Sequence, residues 1–134
     1  MRLRIALRGD DPSRMAIDFE IDDRPIGDDT HVVAVAGEID LFTAPEFKQR
    51  VAAPIDAGRL HVVVDLSATT FIDSSSLGVL IGAHRRLRRQ GGSLVIVCTS
   101  DAIAKTFRIT GLDSVFTIVG SLDEALNGDA VGAG

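Results

Sequence analysis

The sequence has no tryptophan and no tyrosine, and six phenylalanines make up its whole aromatic content. Proteins that hold single-stranded nucleic acid stack bases on aromatic side chains, so that function loses its usual platform. Lys and Arg number 14 against 19 Asp and Glu, and the net charge of −5 argues against the cationic footprint that a phosphate backbone needs. One cysteine, Cys98, excludes an intrachain disulfide and a cysteine-based metal site. Its setting, Leu94-Val-Ile-Val-Cys98, reads as a buried strand in which Cys is a small inert hydrophobe, and a cytoplasmic location is the default. His31, His61 and His84 are scattered, with no spacing that gathers ligands on one helix face, so neither metal nor cofactor is expected. No apolar run approaches the ~18 residues of a membrane span. The basic start, Met1–Arg8, has too short an apolar stretch for a signal peptide, and no membrane insertion is expected.

What is present is a chain of 134 residues, 46% hydrophobic and 25% charged, enough for one domain with a single core. The polar or Gly/Ala-rich ends are expected to be flexible over 1–13 and 128–134, leaving a domain over 14–127. Met15, Ile17, Phe19 and Ile21 alternate with polar neighbours, predicting a half-buried strand. Asp22–Thr30, with Pro25 and Gly27, reads as a turn, and His31–Ala36 as the second strand of an antiparallel hairpin.

Helices then alternate with short apolar strands. Thr43 to about Ala57 is predicted helical, with Thr43 and Glu46 as a capping box, Pro45 in the first turn and Pro54 kinking or shortening the far end. Leu60–Leu66 reads as a buried strand, Ser67–Thr70 as a polar loop, and Ser75 to about Gln90 as a helix closed by Gly91-Gly92. Leu94–Cys98 is the next strand. A helix follows from Ser100 or Asp101 to Gly111, then a strand over Val115–Val119 and a short helix capped by Ser121 and Glu124. The order ββαβαβαβα implies an α/β domain with a mixed sheet, its parallel strands joined by right-handed crossovers.

Phe71-Ile-Asp-Ser-Ser-Ser-Leu-Gly78 is the candidate functional segment, since it places serines at a helix N-terminus. The first N–H groups of a helix lack intrahelical partners and, with the dipole, favour negative charge. A phosphate on Ser74 would add about −1.5 to −2 charges beside Asp73 without melting the helix. Asp and Ser are also ordinary N-cap residues, and on spacing alone that is the simpler reading.

A wider pattern separates the two. Gly37-Glu-Ile-Asp40, Thr43-Ala44, Val62-Val-Val-Asp-Leu66, Phe71-Ile-Asp-Ser-Ser75, Leu77-Gly-Val-Leu80, Gly91-Gly92 and Phe107…Thr110-Gly-Leu112 together resemble STAS domains, above all the bacterial anti-sigma factor antagonists. The resemblance runs from about Met15 to Leu126. It implies a phosphorylation site at the serine after the Asp, Ser74, with Ser75 and Ser76 as lesser candidates. It also implies a partner surface of Asp40, Asp73, Ser74, Ser75, Ser76, Leu77 and Gly78. The implied cycle has the unphosphorylated domain binding an anti-sigma factor, a serine kinase of the histidine-kinase-like ATPase type, and so freeing a sigma factor. Phosphorylation ends that binding and a serine phosphatase restores it.

The family commonly has glycine where Ser76 stands, so a side chain there is expected to crowd a partner or kinase and to add a third hydroxyl. That departure favours an alternative, a phosphorylation-independent STAS scaffold or transport-accessory subunit. Gly37–Asp40 reads as a loop beside the switch or as a plain turn. The basic run His84–Arg89 opposes an apolar face of Leu77, Leu80, Ile81, His84 and Leu87, as a solvated helix face does. A hydrolase would need Gly-x-Ser-x-Gly around its nucleophile; Ser74 is flanked by Ile72 and Ser76, and Ser76 by Ser74 and Gly78. No enzymatic activity is expected.

Overall fold

The computed structural model describes residues 2–5, as backbone, and residues 19–127. Met15 and Ile17, the start of the predicted first strand, and the predicted tail over 128–134 lie outside the described residues. The strands are β1 (Arg2–Ile5), β2 (Phe19–Ile26), β3 (Thr30–Ile39), β4 (His61–Ile72), β5 (Ser93–Val97) and β6 (Thr117–Val119). The helices are α1 (Ala44–Asp56), α2 (Ser74–Arg89), α3 (Asp101–Thr110) and α4 (Leu122–Leu126), with a 3-10 turn at Leu112–Ser114.

The six strands form one sheet in sequence order. The β1–β2 and β2–β3 pairs are antiparallel, and β3 through β6 are parallel. The mixed sheet expected from the sequence is therefore present, with an edge strand at residues 2–5 where a flexible extension was expected. Other boundaries differ as well. Gly37–Ile39, read as a loop or plain turn, continue β3 and pair with the far end of β4, leaving only Asp40 outside the strand. The predicted turn from Asp22 is strand as far as Ile26, because Pro25 lies beyond the stretch of β2 that pairs with β1 and so has one free edge. The predicted loop Ser67–Thr70 is strand as well: β4 runs unbroken to Ile72 and stays paired with β3.

That extension of β4 carries two irregularities. Ala34 pairs with Asp65 and Ala36 with Ala68; Gly37 pairs with Thr69 and Glu38 with Phe71. At each shift β4 contributes one residue more than β3, which is the signature of a bulge. Gly37 sits at φ 94°, a conformation glycine tolerates without a Cβ penalty. Thr69 turns inward there, and its hydroxyl donates to the Val35 carbonyl at 2.8 Å, so a polar residue is buried without an orphaned group.

Alternation along the central strands divides the core. Val62, Val64 and Leu66 of β4, with Leu94 and Ile96 of β5, face α1, α2 and α3, whose Phe47, Val51, Leu80, Leu87, Ile103 and Phe107 complete the larger cluster. Val63, Val95 and Val97 point the other way and are capped by Ala125 of α4. Helices α1 to α3 therefore share one face, which brings the N-termini of α1 and α2 together at the carboxyl ends of β3 and β4.

α1 runs past Pro54 to Asp56, with Ala57 as its C-cap, so it ends about where the sequence placed it. The α2 terminus closes on Gly91, at φ 81°, with the Gly92 N–H donating to the Leu87 carbonyl at 2.7 Å. A Cβ on Gly92 would lie 1.9 Å from the Leu60 carbonyl oxygen, so the backbones touch there.

Candidate functional site at the ends of β3 and β4

Ile39 and Ile72 are the last paired residues of β3 and β4, so Asp40 and Asp73 leave the sheet at neighbouring points. Each aspartate opens the same local device. Asp73 Oδ1 accepts from the Ser76 N–H at 3.2 Å, and the Asp73 N–H donates to Ser76 Oγ at 3.4 Å. Asp40 Oδ1 accepts from the N–H groups of Phe42 and Thr43 at 2.9 and 3.1 Å, and the Asp40 N–H donates to Thr43 Oγ1 at 2.8 Å. Both are reciprocal boxes in which an Asp and a hydroxyl residue three positions on satisfy each other's backbone. The predicted pairing of Thr43 with Glu46 is thus replaced: Thr43 is the second member of a box that starts at Asp40, and its side chain makes no cap bond to α1.

Both hydroxyls also reach back into the sheet. Thr43 Oγ1 donates to the Glu38 carbonyl at 3.0 Å, and Ser76 Oγ donates to the Ile39 carbonyl at 2.9 Å. The end of β3 is thereby held from two sides, with Thr43 and Ser76 both fully buried. Such a clamp fixes the relative placement of the loop after β3 and the first turn of α2.

The three serines consequently have different surroundings. Ser76 is inside, its hydroxyl engaged with Ile39 and Asp73. It presents no hydroxyl to a kinase and cannot crowd an approaching surface, contrary to the expectation from its replacement of glycine. Ser74 is exposed and Ser75 half-buried, and neither hydroxyl hydrogen-bonds within the described residues. They supply the first N–H groups of α2, which have no intrahelical acceptor. Leu77, counted among the surface candidates, is mostly buried in the core cluster, whereas Gly78 is exposed. Asp40 and Asp73 are half-buried.

Large apolar side chains surround this end of the molecule. Leu41 and Phe42 are 71% and 72% exposed on the loop after Asp40, and Phe71 is 46% exposed just before the turn. A cleft of about 490 Å³ between the starts of α1 and α2 is lined by Leu41, Ser75, Gly78 and Val79 among others. Leu41 and Phe42 are functional candidates that sequence reasoning passed over. The available signal was the Asp-x-x-Thr spacing at residues 40–43, which forces the two residues between onto the outside of the box.

Among the described residues no group of three His, Cys, Asp or Glu side chains could hold a metal ion. Among them, too, no helix is long and apolar enough to cross a membrane. Cys98 lies just past β5 with its Sγ toward the Ser100 carbonyl at 3.5 Å, and burial pushes its thiol pKa up, away from the thiolate a nucleophile needs. What the site offers is a rigid, apolar-ringed surface with a free hydroxyl at a helix N-terminus.

Comparison with known proteins agrees with this architecture. The family model for the STAS domain matches residues 23–125. The anti-sigma-B factor antagonist of Listeria monocytogenes serovar 1/2a is 34% identical over 116 residues, covering 86% of this chain and 98% of that protein. That of Bacillus subtilis (strain 168) is 33% identical over 86 residues, 64% of this chain and 78% of the relative. Among solved structures, an anti-sigma factor antagonist from Mycobacterium paratuberculosis superposes with a TM-score of 0.72 at 27% identity, covering 96% of this chain and 93% of that one. The unphosphorylated form of the anti-sigma factor antagonist SpoIIAA gives 0.70 at 21% identity, with 80% and 93% covered, a likeness of fold. This chain belongs to the STAS domain family.

Proposed function

We propose that the protein is a cytoplasmic anti-sigma factor antagonist, a binding module without enzymatic activity, switched off by phosphorylation at Ser74. The observation that carries this reading is the separation of the three serines, with Ser74 exposed, Ser75 half-buried and Ser76 locked inside. The names of its relatives supply the kind of partner, an anti-sigma factor. The partner proposed is a serine kinase of the histidine-kinase-like ATPase type, with a serine phosphatase reversing the modification.

The physics of the switch follows from the surroundings of Ser74. A partner covering Leu41, Phe42 and Phe71 would desolvate the turn between them. A phosphate of about −1.5 to −2 charges costs several kcal/mol to bury without a matched cation. Weakening a complex a hundredfold takes only about 2.7 kcal/mol, so the modification suffices to release the partner. The helix N-terminus meanwhile stabilises the phosphate in the free protein, so α2 survives the change. The phosphorylation-independent alternative drew on Ser76 as an obstruction, and a buried hydroxyl offers none.

Calorimetric titration with the cognate anti-sigma kinase tests the switch. Ser74→Ala should bind like the wild type in the presence of ATP and outlast it. Enzymatically phosphorylated wild type should bind at least about a hundredfold more weakly. Equal binding by the phosphorylated and unphosphorylated forms would remove the switch from the reading.

A further inference from the structure

Beyond the serine turn, the cleft continues between α1 and α2 for the length of both helices. A second compartment of about 410 Å³ shares Lys48, Gly78 and Val79 with the first and extends to Arg89. Its floor is apolar, built by Val51, Ile55 and Val79. Its rim is cationic: Lys48 on one side, Arg85 and Arg89 on the other, with no acidic residue lining it. Arg86 is already paired, donating to Asp56 at 2.6 Å, whereas Lys48, Arg85 and Arg89 make no ion pair within the described residues. In a chain of net charge −5 this is a local reversal of sign, and α2 itself contains no acidic residue.

The wall of the groove is unusually low. Gly78 and Gly82 lie one turn apart inside α2, both exposed, and a Cβ on either would meet nothing within 4 Å. Neither glycine is needed for packing within the chain, and helix interiors disfavour glycine. Their bare backbone leaves that wall open to something approaching from outside.

We infer that the α1–α2 groove is a docking site for an amphipathic α-helix of a protein partner, with an apolar stripe flanked by Asp or Glu. A helix is the element that nests between two helices at the 8–10 Å spacing such packing requires. Its acidic flanks match the unpaired Lys48, Arg85 and Arg89, and its apolar stripe covers Val51, Ile55 and Val79. A concave, apolar floor suits a ridge of side chains better than a flat lipid surface.

The test uses the full chain and a fluorescein-labelled helical peptide of about five turns, with Leu on one face and Glu on both flanks, beside a twin carrying Lys for Glu. Anisotropy titration should show binding of the Glu peptide and at least about tenfold weaker binding of the Lys twin, with affinity falling as salt rises from about 0.05 to about 0.5 M. Arg85→Glu combined with Arg89→Glu should weaken the Glu peptide by about tenfold and strengthen the Lys twin. Gly82→Leu should abolish binding by filling the groove, and Gly82→Ala, whose methyl touches nothing in the chain but narrows the groove, should weaken it measurably while leaving the circular dichroism unchanged. Equal binding of the two peptides, no binding of the Glu peptide, or indifference to both Gly82 variants overturns the inference. So does sedimentation with anionic phosphatidylserine vesicles that the Glu peptide fails to compete away.

Discussion

Thr43 and Ser76 perform one task from two loops, each donating a buried hydroxyl to the last carbonyls of β3. Removing the Ser76 hydroxyl leaves the buried Ile39 carbonyl without that donor, a loss of about 1–3 kcal/mol. Ser76→Ala should therefore destabilise the domain by roughly that amount in urea unfolding, yet leave Ser74 open to modification. A change below about 0.5 kcal/mol would mean that the clamp does not hold the site. The Asp73 cap and the exposed Ser74 were legible in the sequence, because an Asp followed by serines announces a helix start. The inward turn of Ser76 was not: a capping pattern does not say which hydroxyl meets a strand that ended 37 residues earlier. The box from Asp40 to Thr43 was hidden for a related reason, since Glu46 offered an equally good partner by spacing alone.

At the scale of elements, two glycines near α2 make opposite predictions. Gly82→Ala adds a Cβ that touches nothing and improves helix propensity, so it should stabilise by about 1 kcal/mol and raise Tm by roughly 3–4 °C. Gly92→Ala adds a Cβ 1.9 Å from the Leu60 carbonyl oxygen, where backbone must give way, and should cost at least roughly 2 kcal/mol. Thermal melts of the two variants check both signs. Alternation and capping were enough to place α1, α2, α3 and the buried runs of β4 and β5. The far half of β4 was obscured by its own composition, because Ser67, Thr69 and Thr70 read as loop until the Val35 carbonyl provides Thr69 with its acceptor. The edge strand β1 was passed over although Leu3 and Ile5 alternate with Arg2 and Arg4, because a four-residue run beside a basic start is short for a strand.

For the whole molecule, stability should depend on pH through two groups, His84 on α2 and Asp23 on β2. Burial pushes the His84 pKa below its ordinary 6.5, aided by Arg88 and Arg85, as its ring stands edge-on to Phe116 at 5.5 Å. A depressed folded pKa means stability that is present above 6.5 and is lost as pH falls through the lower folded value. Melting temperature should thus fall between about pH 7.5 and about pH 5, and His84→Leu should flatten that fall; an equal fall in the variant contradicts the assignment. Asp23 acts in a lower window. Although burial raises its pKa, hydrogen bonds from Arg50 and His31 hold it below the ordinary 3.8, so its contribution is lost only as pH drops beneath that value. The central proposal is a switch at Ser74. Site-resolved mass spectrometry after incubation with the cognate kinase and ATP tests it most directly: the account predicts phosphate on Ser74 and none on Ser76, and phosphate on Ser76, or on no serine of the turn, would contradict it.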